Sequence, residues 1–178
     1  MITIISDDRR QQVGARIREA LEKRGAACRY FSADRLHIRP CTGCGSCGGK
    51  TFGRCVLRDD MEQVLAAMGR SGVWLLAGPV TFGGYSSQAK KVLDRLCTLG
   101  DPYYHVVRGE LVKGAGGMGS RFYAVGVKEH CADAEREAFL ALHGENIRIM
   151  NCAGGAFVLG EAPEDSRIEA IAEALCHG

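Results

Sequence analysis

The residues best suited to chemistry lie in CTGCGSCGGKTFGRC, positions 41–55, where Cys41, Cys44, Cys47 and Cys55 follow the spacing C-x2-C-x2-C-x7-C. Three thiolates at two-residue intervals can wrap one face of an iron-sulfur cubane and leave its fourth corner to a cysteine further along. Gly43, Gly45, Gly48 and Gly49 let the backbone turn tightly and present N–H groups to an anionic cluster. A [4Fe-4S] cluster is the leading reading, and two others stay open. A zinc ion could take four cysteines, although zinc sites usually pair two separated C-x2-C units. A C-x-x-C dithiol is the other, although that motif normally opens a helix and the glycines disfavour one. Cys28, Cys97, Cys152 and Cys176 fall in or beside apolar strands and late in helices, where a cysteine is a small buried apolar side chain. Cys131 begins a helix and is expected to be reactive if exposed.

Around this segment, short apolar runs alternate with helical patterns. ITIIS (2–6), ACRYFS (27–32), GVWLLAG (72–78), RFYAVGV (121–127) and NIRIMN (146–151) read as strands. Helical spacing follows in Val13, Ile17, Ala20 and Leu21; in Met61, Val64, Leu65 and Met68; and in Ala89, Val92, Leu93 and Leu96. It recurs in Ala134, Ala138 and Leu142, and in Ile168, Ile171, Ala172 and Leu175. Five βα units predict an α/β, flavodoxin-like doubly wound fold: a five-stranded parallel sheet with helices on both faces. Ligands in such folds bind beyond the carboxyl ends of the strands, which singles out loops 6–12, 78–87 and 127–131. Two connections exceed the usual few residues, the cysteine-rich loop 33–58 and the glycine-rich loop 99–119, and nothing marks a boundary within 1–178, so one domain is expected.

The 23 basic and 21 acidic residues interleave, with a net charge of +2, so a nucleic-acid surface is not expected. No apolar run approaches the roughly 20 residues of a membrane span. MITIISDDRR lacks the basic and long apolar regions of a secretion signal. Nine cysteines, an odd count, suit reduced thiols and a cytoplasmic location.

CTGCGSC…C…DDM followed by PVTFGGYSSQAKKVLDR resembles the iron-sulfur flavoprotein branch of the NADPH-dependent FMN reductase family. The resemblance implies a subunit that binds FMN, carries a [4Fe-4S] cluster near it and assembles as a homodimer or homotetramer. It also implies that Pro79, Val80, Thr81, Phe82, Gly83 and Gly84 lie along the isoalloxazine ring. The residues agree: glycines after a buried strand let backbone N–H groups approach a flat ring, with Phe82 or Tyr85 available to stack.

The first loop departs from that pattern. Relatives wrap the FMN phosphate with glycine, serine, threonine and asparagine, whereas this chain reads SDDRRQQVG. Asp7 and Asp8 repel a phosphate, while Ser6, Arg9, Arg10, Gln11 and Gln12 offer hydroxyl, guanidinium and amide donors at a helix N-terminus. Alternatively Asp7 or Asp8 caps the helix and the phosphate site is weakened. Lys128 and His130 face the same crevice; His105 reads as a solvated loop residue, and no catalytic acid or base stands out.

The expected function is a flavin-dependent redox protein passing electrons between FMN and the cluster. Its donor would be NAD(P)H or ferredoxin, and no membrane or nucleic-acid partner is expected. An FMN reductase or binding protein with a structural zinc site is one alternative. A flavin-less redox sensor or scaffold is the other.

Overall fold

The computed structural model describes residues 1–7, 12–100, 103–107, 109–112 and 120–177. In chain order the elements are β1 (Ile2–Ser6), α1 (Val13–Lys23), β2 (Cys28–Ser32), α2 (Met61–Met68), β3 (Val73–Pro79), α3 (Ser87–Arg95), β4 (His105–Val107), β5 (Glu110–Val112), β6 (Arg121–Val127), α4 (Asp133–Ile149), β7 (Ala153–Leu159) and α5 (Asp165–His177). The main sheet is parallel, in the order β2-β1-β3-β6-β7. That is the expected doubly wound arrangement, with the antiparallel β4–β5 hairpin inserted before β6. Among the described residues no helix is long and apolar enough to cross a membrane.

Alternation along the central strands sorts the core into two layers, because successive side chains point to opposite faces. Ile4, Leu75 and Val125 pack with Ile17 and Leu21 of α1 and Ile171 and Leu175 of α5. Ile5, Trp74, Leu76 and Phe122 face Met61, Val64 and Met68 of α2 and Ala89 and Val92 of α3. Trp74 and Thr3 pair their polar groups in the interior: the Trp74 indole donates to the Met68 carbonyl at 2.8 Å, and Thr3 and Ser71 share a hydroxyl contact of 2.6 Å.

The fifth strand is not where the pattern puts it. NIRIMN continues α4, and the strand is AGGAFVL, paired with β6 from Arg121↔Ala153 to Val127↔Leu159. The apolar residues of 146–151 serve a helix: Ile147 and Met150 pack on the core layer of Trp74 and Phe122. The helix stops at Asn151, whose φ of 48° is left-handed. Asn151 N–H donates to the Arg148 carbonyl and Cys152 N–H to the Ile147 carbonyl, the paired closure of a Schellman end.

The expected inward face of α4 is also displaced. Ala134, Ala138 and Leu142 are exposed, and Phe139 and His143 are the residues buried. A histidine on the core stripe, satisfied by hydrogen bonds, shifted the pattern by one position.

Candidate functional site

Loop 33–58 leaves β2 and returns to α2 as irregular chain with short 3₁₀ turns at Ala33–Arg35 and Ser46–Gly48. Its four cysteines line one small cavity with Thr42, Gly45, Val56 and Leu57. Positive φ at Gly43 (66°), Gly45 (69°) and Gly53 (68°) makes the turns between them. Cys41 and Cys44 are exposed, and Cys47 and Cys55 are half-buried. Gly43 N–H donates to Cys41 Sγ at 3.5 Å, and Cys44 Sγ lies 3.5 Å from Ser46 Oγ. Hydrogen bonds from Ser46 and Thr42 hold the Cys44 thiol below its ordinary pKa. Among the described residues, no three His, Cys, Asp or Glu side chains converge closely enough to hold one metal ion. The thiols line the cavity rather than meet at a point.

Cys97 joins them. It sits on a 3₁₀ turn, Leu96–Thr98, that continues α3, and its sulfur is 3.7 Å from that of Cys47. The expectation of an inert apolar side chain fails here, because the turn at the end of α3 packs against the turn carrying Cys47. For Cys28 and Cys152 it holds: burial pushes both thiols up to about 11.

Arg95 lines the same cavity. It is 1% exposed, and its Nη1 donates to both carboxylate oxygens of Asp59, itself 1% exposed, at 2.8 and 2.6 Å. Further donation goes to the carbonyls of Arg39 and Leu57, both at 3.3 Å. Asp59 also accepts from the backbone N–H of Arg39 at 3.0 Å and of Met61 at 3.1 Å, and Asp60 accepts from that of His37 at 2.7 Å. The Asp59-Asp60 pair thus ties both ends of the loop to each other and to α3. Burial opposes ionisation of Asp59, but the Arg95 guanidinium and these N–H groups outweigh it and hold the carboxyl below its usual range. Arg95 stays charged against its own burial through Asp59, with the Cys55 thiol contributing. Arg95 Nε is buried beside the cysteines without a hydrogen-bond partner. An orphaned guanidinium N–H at the wall of a thiol-lined cavity is a donor suited to an anionic group, so the residues present fit a cluster.

The second region lies at the carboxyl ends of β1 and β3, where the strand order reverses. Thr81 and Gly84 exchange both backbone hydrogen bonds at 2.9 Å around Phe82 and Gly83, whose φ values of 50° and 72° make a tight hairpin turn. Phe82 is 96% exposed at its tip. Val80 is buried and anchors the turn, its N–H donating to the Val127 carbonyl. A side chain at Gly83 would meet the Ala138 Cβ at 2.9 Å, so the closeness that demands glycine there is to α4. Pro79 and Gly84 are half-buried and Thr81 is exposed.

On the β1 side, Ser6 is buried and Gln12 precedes α1 in a left-handed conformation without a side-chain capping bond. Asp7 lies just past the end of β1, before the N-cap residue Gln12. Its carboxylate accepts from Ser86 Oγ, the hydroxyl that caps α3 by accepting from the Ala89 N–H. Arg9, Arg10 and Gln11, with Asp8, lie outside the described residues. Lys128 makes a two-pronged contact of 2.6 Å with Glu135, and His105 is exposed on β4.

Of the two aromatics expected near a ring, only Phe82 points outward. Tyr85 turns inward against Phe139, with ring centroids 5.3 Å apart, and its hydroxyl lies 2.7 Å from His143 Nδ1. His143 Nε2 is 3.1 Å from the Phe122 carbonyl, which only accepts, so Nε2 carries the proton and Tyr85 donates to Nδ1. Asn146 donates to the Tyr85 oxygen at 3.2 Å. Burial pushes the Tyr85 hydroxyl up to about 12 and holds His143 below its ordinary value. The unfolded chain therefore takes up the histidine proton first as pH falls below about 6.5, and stability drops until the lowered folded value is reached. Replacing His143 with Gln should flatten that limb in urea unfolding followed between pH 8 and 5.

Residues 6–163 match the family model described as NADPH-dependent FMN reductase. An iron-sulfur flavoprotein of Methanocaldococcus jannaschii is 35% identical over 82 residues, covering 44% of this chain and 42% of that protein. One from Archaeoglobus fulgidus is 36% identical over 80 residues, 42% of this chain and 34% of that one. These matches span less than half the length of the curated relatives. By structure, the chain resembles an apo NADH:FMN oxidoreductase (TM-score 0.59, 15% identity, 99% and 86% coverage) and an azoreductase from Bacillus anthracis (0.65, 7%, 98% and 96%). At those identities the likeness is one of fold.

Proposed function

The chain belongs to the NADPH-dependent FMN reductase family, and from that premise we propose that it is an FMN-dependent oxidoreductase whose flavin exchanges electrons with a [4Fe-4S] cluster held by Cys41, Cys44, Cys47 and Cys55. The observation that carries the cluster is the cavity lined by those four thiols and by the buried Arg95, whose Nε has no hydrogen-bond partner. Thiols spread around a cavity suit a group held at its corners better than one tetrahedral ion, whose ligand sulfurs sit about 2.3 Å from a common centre. The names of the curated relatives point the same way. Together the two cofactors supply a junction between two-electron and one-electron carriers.

The chain's own residues position and tune. Arg95 offers a charged N–H beside the cavity, and Asp59 keeps that guanidinium in place. Pro79, Val80, Thr81, Gly83 and Gly84 hold the turn along which the ring would lie, and Phe82 supplies the exposed face for stacking. Tyr85 supports this turn from beneath through His143 and Asn146. The phosphate falls to Ser6, Arg9, Arg10, Gln11 and Gln12 at the start of α1. The family's description favours a nicotinamide as electron donor.

The test is an absorption spectrum with iron, sulfide, zinc and FMN analysis of anaerobically purified protein. Flavin bands with about four iron and four sulfide per chain support the proposal, and zinc without iron overturns the cluster. Cys44→Ala should lose the iron while melting within about 1 °C of the iron-free parent, since Cys44 is exposed and outside the core. Phe82→Ala should weaken FMN binding about tenfold, the loss of one aromatic stacking contact, without changing the melting temperature.

A further inference from the structure

Five thiols, not four, share the cysteine cavity. Cys47 and Cys97 are in contact, their sulfurs 3.7 Å apart although 50 positions separate them. Both ride on short backbone turns fixed by other bonds. The Cys47 turn is held by Thr51 N–H on the Ser46 carbonyl at 2.8 Å and Gly53 N–H on the Cys47 carbonyl at 3.1 Å. The Cys97 turn is anchored by buried Leu96 and Thr98, the Thr98 hydroxyl donating to the Arg95 carbonyl at 3.0 Å. Both cysteines are half-buried rather than sealed, so a small oxidant can reach them.

We propose that Cys97 is a reserve thiol that closes a disulfide onto Cys47 when the four-cysteine site is empty and a peroxide is present. This rests on reading Cys47 as a cluster ligand, because the bound group and the disulfide compete for the same sulfur. Hydrogen peroxide is the two-electron oxidant. One sulfur attacks the peroxide and breaks its O–O bond, giving a sulfenic acid and one water. The other sulfur attacks the sulfenic sulfur, the S–S bond forms, and the second water leaves. Two thiols and one peroxide become one disulfide and two waters, and a dithiol reductant returns both thiols. Closing the bridge brings the sulfurs from 3.7 Å to the S–S distance of about 2.05 Å. The bridge pins the cysteine loop to the end of α3 and keeps Cys47 from the irreversible sulfinic acid.

The experiment uses the full chain, loaded and after iron removal by chelator, each treated with one equivalent of hydrogen peroxide and mapped by peptide mass spectrometry. The expected result is a Cys47–Cys97 linked peptide as the main disulfide of the iron-free protein, absent while iron is retained and reversed by dithiothreitol. After a peroxide pulse, reduction and reconstitution with iron and sulfide, the parent should recover severalfold more cluster than Cys97→Ser. Disulfides confined to Cys41, Cys44 and Cys55, or Cys47 recovered as unlinked sulfinic acid, would overturn the proposal. So would loss of iron from freshly purified Cys97→Ser, which would make Cys97 a ligand. Iron and sulfide analysis of the untreated parent judges the cluster separately, and the linked peptide is read whichever way that falls.

Discussion

Replacing Gly154 with alanine is expected to lower the melting temperature by about 10 °C or more, corresponding to roughly 3–5 kcal/mol in a domain of this size. A Cβ at this position would stand 1.8 Å from the Phe122 carbonyl oxygen and 2.6 Å from its carbon, and φ at Gly154 is 140°, where side chains are rarely accommodated. The obstacle is backbone, so no rotamer relieves it. Phe122 cannot retreat either, being 1% exposed and packed edge-on against Trp74 and His143. Either β7 peels from β6 or β6 distorts through the middle of the sheet. Gly155 is the control, because a Cβ there meets nothing within 4 Å and its φ is ordinary. Gly155→Ala should be neutral or stabilising by about 0.5 kcal/mol through the unfolded chain. Thermal unfolding of the two variants checks the register of β7 directly: equal melting temperatures would mean that the pairing Phe122↔Gly154 is wrong.

Arg95→Met should cost about 3–5 kcal/mol at neutral pH and take the iron with it. Removing the guanidinium leaves the Asp59 carboxylate, 1% exposed, with two backbone N–H groups and only the longer contact of 3.6 Å to the exposed Arg39 side chain. The pH dependence follows from the direction of the shift. In the parent, the folded carboxyl is more acidic than the unfolded one, so its contribution is present above about pH 4 and fades as pH falls through the folded value. In the variant, the carboxyl is buried with its main partner gone, so its folded value rises relative to the parent's and less stability is left to lose on protonation. The gap between the two proteins should therefore close on acidification, a signature that cavity formation alone would not give. Arg95→Met with Asp59→Leu should recover part of the stability and none of the iron. Urea unfolding across pH, with iron analysis, reads the parent and both variants. A parent-like Arg95→Met would refute the role assigned to this ion pair.

Both predictions concern features that the linear sequence showed unevenly. β1, β3 and β6 are buried on both faces, and such strands are written as continuous runs of Ile, Leu, Val and aromatic residues that leave little choice of reading. β7 lies at the sheet's edge and carries two glycines, one forced by close backbone contact, so its apolar signal was weaker than that of the helical NIRIM before it. The stop at Asn151 was the available clue. At the cysteines, spacing alone drew Cys41, Cys44, Cys47 and Cys55 together. Cys97 was out of reach, because its approach to Cys47 depends on how the end of α3 packs against a loop without periodicity. Arg95 leaves a trace in the sequence. It stands three residues after Val92 and next to Leu96, on the apolar stripe of its helix, and a charge there requires a buried partner.

The closure of the cysteine loop by His37, Arg39, Asp59, Asp60 and Arg95 also decides when its disorder is given up. In many small metal-binding domains the chain gathers around the ion, and binding carries the whole conformational entropy of the ligand loop. Here side chains from the loop's own base and from α3 close it, and lengthening a loop so closed adds only slowly to that entropy. The thiols are assembled before anything binds them, so stripping the site should leave far-ultraviolet circular dichroism nearly unchanged. Refilling it becomes a matter of supply, not of folding.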